Sequence, residues 1–203
     1  MATPKLDGPN MSRCISIPRR RGAEGLIGMA AFTLALTVFG MPLPATAQAE
    51  MSAQGPACAT VDADLPAALA SWPAKVDVVS AVAAADLSKA VIVIGQAARV
   101  SLHGTREVTY PVQPEKPGGS VAHGGLLAFS INQPGAYRVA LSTGAWIDVI
   151  RDGQPQRSTA HGHGPACSTI RKMVNFNLQP GHYILQISAN ADAEISVLVT
   201  PAP

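Results

Sequence analysis

The sequence predicts an all-β chain, an antiparallel β-sandwich or jelly roll with short N-terminal helical segments, on three observations. A strand-turn-strand phrase occurs twice: Gln133-Pro134-Gly135-Ala136-Tyr137-Arg138-Val139-Ala140-Leu141-Ser142 returns as Gln179-Pro180-Gly181-His182-Tyr183-Ile184-Leu185-Gln186-Ile187-Ser188. Tyr and the aliphatic residues alternate with period two in both copies, as on a strand with one buried face, and Pro-Gly sets the turn that enters each. Other short alternating runs are separated by turn signals, which favours a sandwich or jelly roll. No glycine-rich phosphate loop stands between a strand and a helix, so nucleotide chemistry has no support.

From the start of the chain, Arg19, Arg20 and Arg21 precede an apolar run from Leu26 to Phe39, followed by Pro42, Pro44 and the small residues 45–49. That order is the pattern of a secretory signal peptide. The run is about fourteen residues, within the signal range and short of the roughly twenty needed to span a bilayer. Residues 1–49 are therefore assigned to a signal peptide and its lead, with Met11 as an alternative start, and residues 50–203 to a single β-sandwich domain. The expected location is periplasmic or secreted, with no membrane span after cleavage.

Alanine-rich pieces at Leu65 to Trp72 and Ala83 to Ala90 read as short helices, the second ending before a strand at Val91. Ala97 to Leu102 and Glu107 to Val112 alternate as strands around His103-Gly104-Thr105. The stretch from Pro114 to Ser120 is too rich in Pro and Gly for an element interior and reads as a loop. Each copy of the repeat begins with a Phe-containing strand (Phe129, Phe176), and each is followed by a further strand, Trp146 to Arg151 and Ile195 to Thr200. This half is expected to fold as consecutive antiparallel hairpins.

The whole-chain formal charge is +2, and much of the positive excess lies in the leading arginines. The remainder is near neutral, with few aromatics and no basic stripe, which disfavours a nucleic-acid partner. An unknown protein or small-molecule ligand is left as partner. Beyond the leader, Cys58 and Cys167 occupy the same Gly-Pro-Ala-Cys phrase, and an exported pair of cysteines is most simply a disulfide.

The chemistry-bearing phrase is Ala160-His161-Gly162-His163-Gly164, in which alternate residues of an extended segment project to one side. His161 and His163 as neutral imidazoles suit iron, copper or zinc. A third ligand is required, and His123, in a similar Ala-His-Gly phrase, is the first candidate, with Asp148, Glu107 and a reduced Cys167 as others. The competing reading is a tight glycine loop whose rings face solvent or bond to backbone. Arg171 and Lys172, with Asp148 nearby, form a second set suited to a carboxylate or an anionic glycan. Their plainer reading is the polar start of a strand, as Arg151 and Asp152 read as the polar end of a hairpin. Trp146 reads as a core or sheet-face ring, with sugar stacking as the alternative, and Glu115 and Lys116 sit in the Pro-Gly loop. Ser120 and Ser168 are not in a nucleophile-elbow phrase, and no catalytic residue is assigned.

The phrases "QPGAYRVALS" and "QPGHYILQIS" make residues 90–200 similar to the pre-peptidase C-terminal domains that follow secreted bacterial peptidases. That resemblance implies a binding or stabilising module without catalytic apparatus. The phrases "PEKPGGSVAHGGLLAF", "GAWIDVIRDG" and "AHGHGPACSTIRKMVNF" resemble a group of small exported bacterial proteins, some labelled homogentisate 1,2-dioxygenase. The dioxygenases of that name are longer cupins holding iron with two histidines and a glutamate, and the spacing here does not follow that pattern. The expectation is an exported non-enzymatic binding or envelope-associated module. The alternative is a metal-binding protein or metal-dependent dioxygenase built on His161, His163 and His123.

Overall fold

Two β-sheets face each other across one apolar core in the computed structural model, which describes residues 58–203. The signal-peptide assignment lies outside the described residues. The strands are β1 (Val76–Val79), β2 (Ala98–Ser101), β3 (His103–Gly104), β4 (His123–Ile131), β5 (Gly135–Leu141), β6 (Trp146–Arg151), β7 (Gln154–Pro155), β8 (Ser158–Gly162), β9 (Lys172–Leu178), β10 (Gly181–Asn190) and β11 (Glu194–Pro201). Sheet A has the order β1-β2-β11-β5-β9-β8, and sheet B the order β3-β4-β10-β6-β7. The chain is thus an all-β sandwich.

The two repeat copies interlock instead of forming consecutive hairpins. In the first copy the chain runs from β4 in sheet B to β5 in sheet A and back to β6 in sheet B. In the second it runs from β9 in sheet A to β10 in sheet B and back to β11 in sheet A. Each Pro-Gly turn crosses between sheets, so β5 lies between β9 and β11, while β10 lies between β4 and β6. The physical reason is burial: the apolar face of each entering strand finds its cross-strand partners in the other copy. Tyr137 stands opposite Phe176, and Tyr183 opposite Phe129, whose rings stack at 5.4 Å. Phe129, Leu127, Val139, Leu185, Ile187, Val197 and Val199 are among the buried residues that fill the space between the sheets.

One strand connection is a tight hairpin. Asp152 and Gly153 both adopt positive φ, which suits the two-residue turn joining β6 to β7. Elsewhere the expected helices shrink to a single 3-10 turn at Ala67–Leu69 and a six-residue 3-10 helix at Ala84–Lys89. The strand expected from Glu107 to Val112 is absent: a 3-10 turn occupies Thr105–Glu107, and the segment after it is irregular. There Thr109 N–H donates to Val82 C=O and Tyr110 hydroxyl to Ile187 C=O, so these groups find partners without a ladder. At Val91 there is only an isolated bridge to Ala128.

The Cys58–Cys167 disulfide forms, with Cα atoms 5.3 Å apart. Beside it, Asp62 accepts from the backbone N–H and hydroxyl of Thr169, and that hydroxyl accepts from Trp72 Nε1 at 2.8 Å. The cross-link therefore holds Leu69 and Trp72 in a second apolar cluster with Ala97, Ala140, Ile170 and Leu198. Ala140 and Leu198 alternate with Val139, Leu141, Val197 and Val199 of the main core, which puts this cluster on the outer face of sheet A. Burying a side chain of this size contributes about 1.5–3 kcal/mol. Among the described residues no helix is long and apolar enough to cross a membrane.

Candidate functional site

Where β7 ends, the chain leaves sheet B and crosses to sheet A. The last backbone bond of the β6–β7 hairpin runs from Gln156 N–H to Val149 C=O at 2.7 Å, and β8 then pairs with β9 in the other sheet. This departure opens a cleft of about 500 Å³ lined by Trp146 and Asp148 of β6, Arg157 and His161 of the crossing segment and β8, Lys172 of β9, and Glu115 of the Pro-Gly loop.

Lys172 enters the cleft because it alternates with Val174 and Phe176, the inward residues of β9, at the end where the sandwich opens. Its ammonium donates to Ala145 C=O at 2.7 Å and stands 5.6 Å from the Trp146 ring centre. Burial lowers the Lys172 pKa, and the nearby Lys116 charge lowers it further, while Asp148 acts in the opposite direction.

Lys116 approaches the same indole, at 5.2 Å from the ring centre. Its loop is held to sheet B by Ser188, whose buried hydroxyl donates to Lys116 C=O at 2.8 Å. Ser188 lies within the irregularity of β10 between Ile187 and Asn190, where Ala189 takes a positive φ. Gly118 crosses this point with φ +86°, and a Cβ on it would meet Ala189 Cα at 2.9 Å. A glycine is required there by both backbone shape and space.

Asp148 is half-buried between Trp146 Nε1, which donates to one carboxylate oxygen at 3.2 Å, and Gln186 Nε2, which donates to the other at 2.9 Å. Burial raises its pKa; the two hydrogen bonds oppose that shift, Glu115 adds to it and Lys172 opposes it. Gln186 is fully buried, and its Oε1 has no hydrogen-bond partner among the described residues.

The structure thus brings together Asp148, Lys172 and His161, with Trp146, Glu115 and Lys116. It does not bring His163, His123 or Arg171 to them. His163 turns its Nδ1 to Arg171 C=O at 3.2 Å, a backbone contact of the kind a tight glycine loop supplies. His161 stands opposite Val174 in sheet A. His123 belongs to sheet B, opposite Gly104 and Asn190, with its Nδ1 buried and without a partner among the described residues. Arg171 is exposed and outside the residues lining the cleft. Cys167 is committed to the disulfide. Among the described residues no three His, Cys, Asp or Glu side chains are grouped to hold a metal ion. The three-histidine set separates because alternation aligns side chains only while a segment stays extended, and β8 ends at Gly162.

The Trp146 ring is engaged by two ammonium groups, which compete with a sugar for stacking on it. Asp152 pairs with Arg151 at 3.4 Å at the hairpin tip, the polar end expected of it. Sequence reasoning missed Gln186 and Arg157. Gln186 had a signal: it replaces Ala140 when the two repeat copies are aligned, an amide where the other copy carries a methyl group.

No protein-family profile matches the chain, and no curated protein does. Among solved structures it is similar to the pre-peptidase C-terminal domain of collagenase from Bacillus anthracis, at 16% identity and a TM-score of 0.34, over 54% of this chain and 92% of that one.

Proposed function

We propose that this is an exported, non-enzymatic binding module whose cleft beside Trp146 takes a ligand carrying a carboxylate. The observation that supports the reading is the convergence of Lys116 and Lys172 on one indole, with neither ammonium in an ion pair within 4.0 Å among the described residues. Lys172 is half-buried and Lys116 exposed; two like charges drawn to one ring repel, and an anion placed between them relieves that repulsion. Arg157 at the margin adds to the attraction, while Asp148 is already bonded by Trp146 and Gln186. The disulfide supports export, because such bonds persist in oxidising compartments.

Calorimetric titration with acetate, succinate and a uronic-acid oligosaccharide, each against its neutral amide or ester, tests the proposal. Binding is expected for a carboxylate form only, weakening as salt rises and falling about tenfold or more in Lys116→Met. Equal affinity for neutral forms, or an unchanged affinity in Lys116→Met, would sink it.

A further inference from the structure

We infer that the carboxylate belongs to the C-terminus of an extended peptide, which adds as a short antiparallel strand to the open edge of β6. The inference rests on the carboxylate-binding reading and specifies the ligand for the same cleft.

The argument starts from the β6 backbone. In an antiparallel ladder the N–H and C=O of one residue point to the same edge, and successive residues alternate between edges. Val149 C=O accepts from Gln156 N–H, so Val149 faces the β7 edge. Ile147, two residues earlier, therefore faces that edge as well, while Ala145, just before β6, gives its C=O to the Lys172 ammonium. The registered β7 pairs are Ile150 with Pro155 and Arg151 with Gln154, after which the chain departs for sheet A. The two edge positions of β6 and the residue before it consequently have three different fates. Val149 is bonded to the hairpin, Ile147 lines the cleft beyond the hairpin's end, and Ala145 C=O is taken by the Lys172 ammonium.

The direction of a ligand strand follows. A peptide antiparallel to β6 continues the course of Gln154 to Gln156, running from the Val149 level toward the Ala145 level. Its residue opposite Ile147 exchanges two backbone hydrogen bonds there, as in other cases of strand addition. At about 3.3 Å per residue, the next residue lies opposite Trp146, and its carboxyl group carries on toward Ala145, where Lys172 sits and Lys116 reaches over Trp146. A free C-terminus at that point places its carboxylate between the two ammonium groups. The reverse orientation would bring a cationic N-terminus to the same pair. Edge geometry and charge therefore select the same end of the peptide.

Fluorescence-polarisation competition on the full chain tests this, using a mixed library of N-acetylated tripeptides in three forms: free acid, C-terminal amide, and free acid N-methylated at the middle residue. The N-methyl group removes the N–H that would donate to Ile147 C=O and leaves the protein unaltered. Free-acid peptides are expected to bind, with about a tenfold or greater loss on amidation and on N-methylation, and with the amidation effect lost in Lys116→Met. Undiminished binding on amidation overturns the C-terminal assignment. Undiminished binding on N-methylation, or acetate and succinate binding as tightly as the peptides, overturns strand addition while leaving a carboxylate cleft in place. Failure of every carboxylate to bind overturns the cleft reading itself.

Discussion

The hydroxyl of Tyr183 donates to the C=O of Gln179, four residues earlier, at 2.7 Å, closing the turn through which the chain enters β10. Tyr137 does the same to Gln133 at 2.9 Å at the entrance to β5. Each ring lies in the core opposite a Phe of the other copy, while its hydroxyl reaches back to tie down the Pro-Gly crossing. One side chain thereby couples the point where the chain changes sheets to the register in which the copies interlock.

The two tyrosines differ in how many bonds they hold. Tyr183 hydroxyl also accepts from Gln179 N–H at 3.0 Å and lies 3.4 Å from an Arg151 nitrogen that donates to it. Tyr137→Phe is expected to cost about 1 kcal/mol and Tyr183→Phe about 1.5–2 kcal/mol, since more donors lose their acceptor. Urea unfolding of both single variants measures this; a smaller loss at Tyr183 than at Tyr137 would contradict the assignment.

The disulfide spans a sequence separation of 109 residues. Closing so long a loop restricts the unfolded chain, and the chain-entropy treatment gives about 4–5 kcal/mol for its removal. Cys58→Ser with Cys167→Ser should lower stability by an amount of that order, with Trp72 fluorescence changing because the Asp62–Thr169–Trp72 chain of bonds lies beside the cross-link. Peptide mapping with and without reductant should show the linked pair; two free thiols in the native protein would refute it.

Stability should respond to pH through the cleft in two windows of opposite slope. Asp148 has a raised pKa, so the folded state holds a proton that the unfolded state has released, and stability falls as pH rises from 3.8 through the folded value. Lys172 has a lowered pKa, so the folded state has released a proton that the unfolded state keeps; stability falls as pH drops from 10.5 through the folded value. Denaturant midpoints measured at stepped pH should show both, with the acid-side slope reduced in Asp148→Asn and the alkaline one reduced in Lys172→Met. Slopes unchanged by these substitutions would place their origin elsewhere.

Alternation and turn chemistry made the six repeat strands readable, because both are local: a residue's face depends on its neighbours and Pro-Gly bends the chain wherever it occurs. The irregular stretch after Glu107 was not readable that way. Its residues alternate as a strand would, but Thr109 and Tyr110 bond to Val82 and to Ile187, partners distant in sequence. His161 and His163 show the same limit within three residues, since one remains on β8 and the other turns to Arg171 C=O.

By itself the sequence determined that this is a β protein with an internal repeat and a pair of cysteines suited to a cross-link. It also supplied Asp148 and Lys172 within one set, and His161 and Trp146 apart from it. Tertiary structure alone decided that each Pro-Gly turn crosses between sheets and that these residues share a cleft, with Lys116 against the Trp146 ring. A turn reverses direction without specifying a partner; burial of Tyr137 against Phe176 and of Tyr183 against Phe129 selects one. The cleft follows from that choice, because it opens where the chain leaves β6 to join the other sheet.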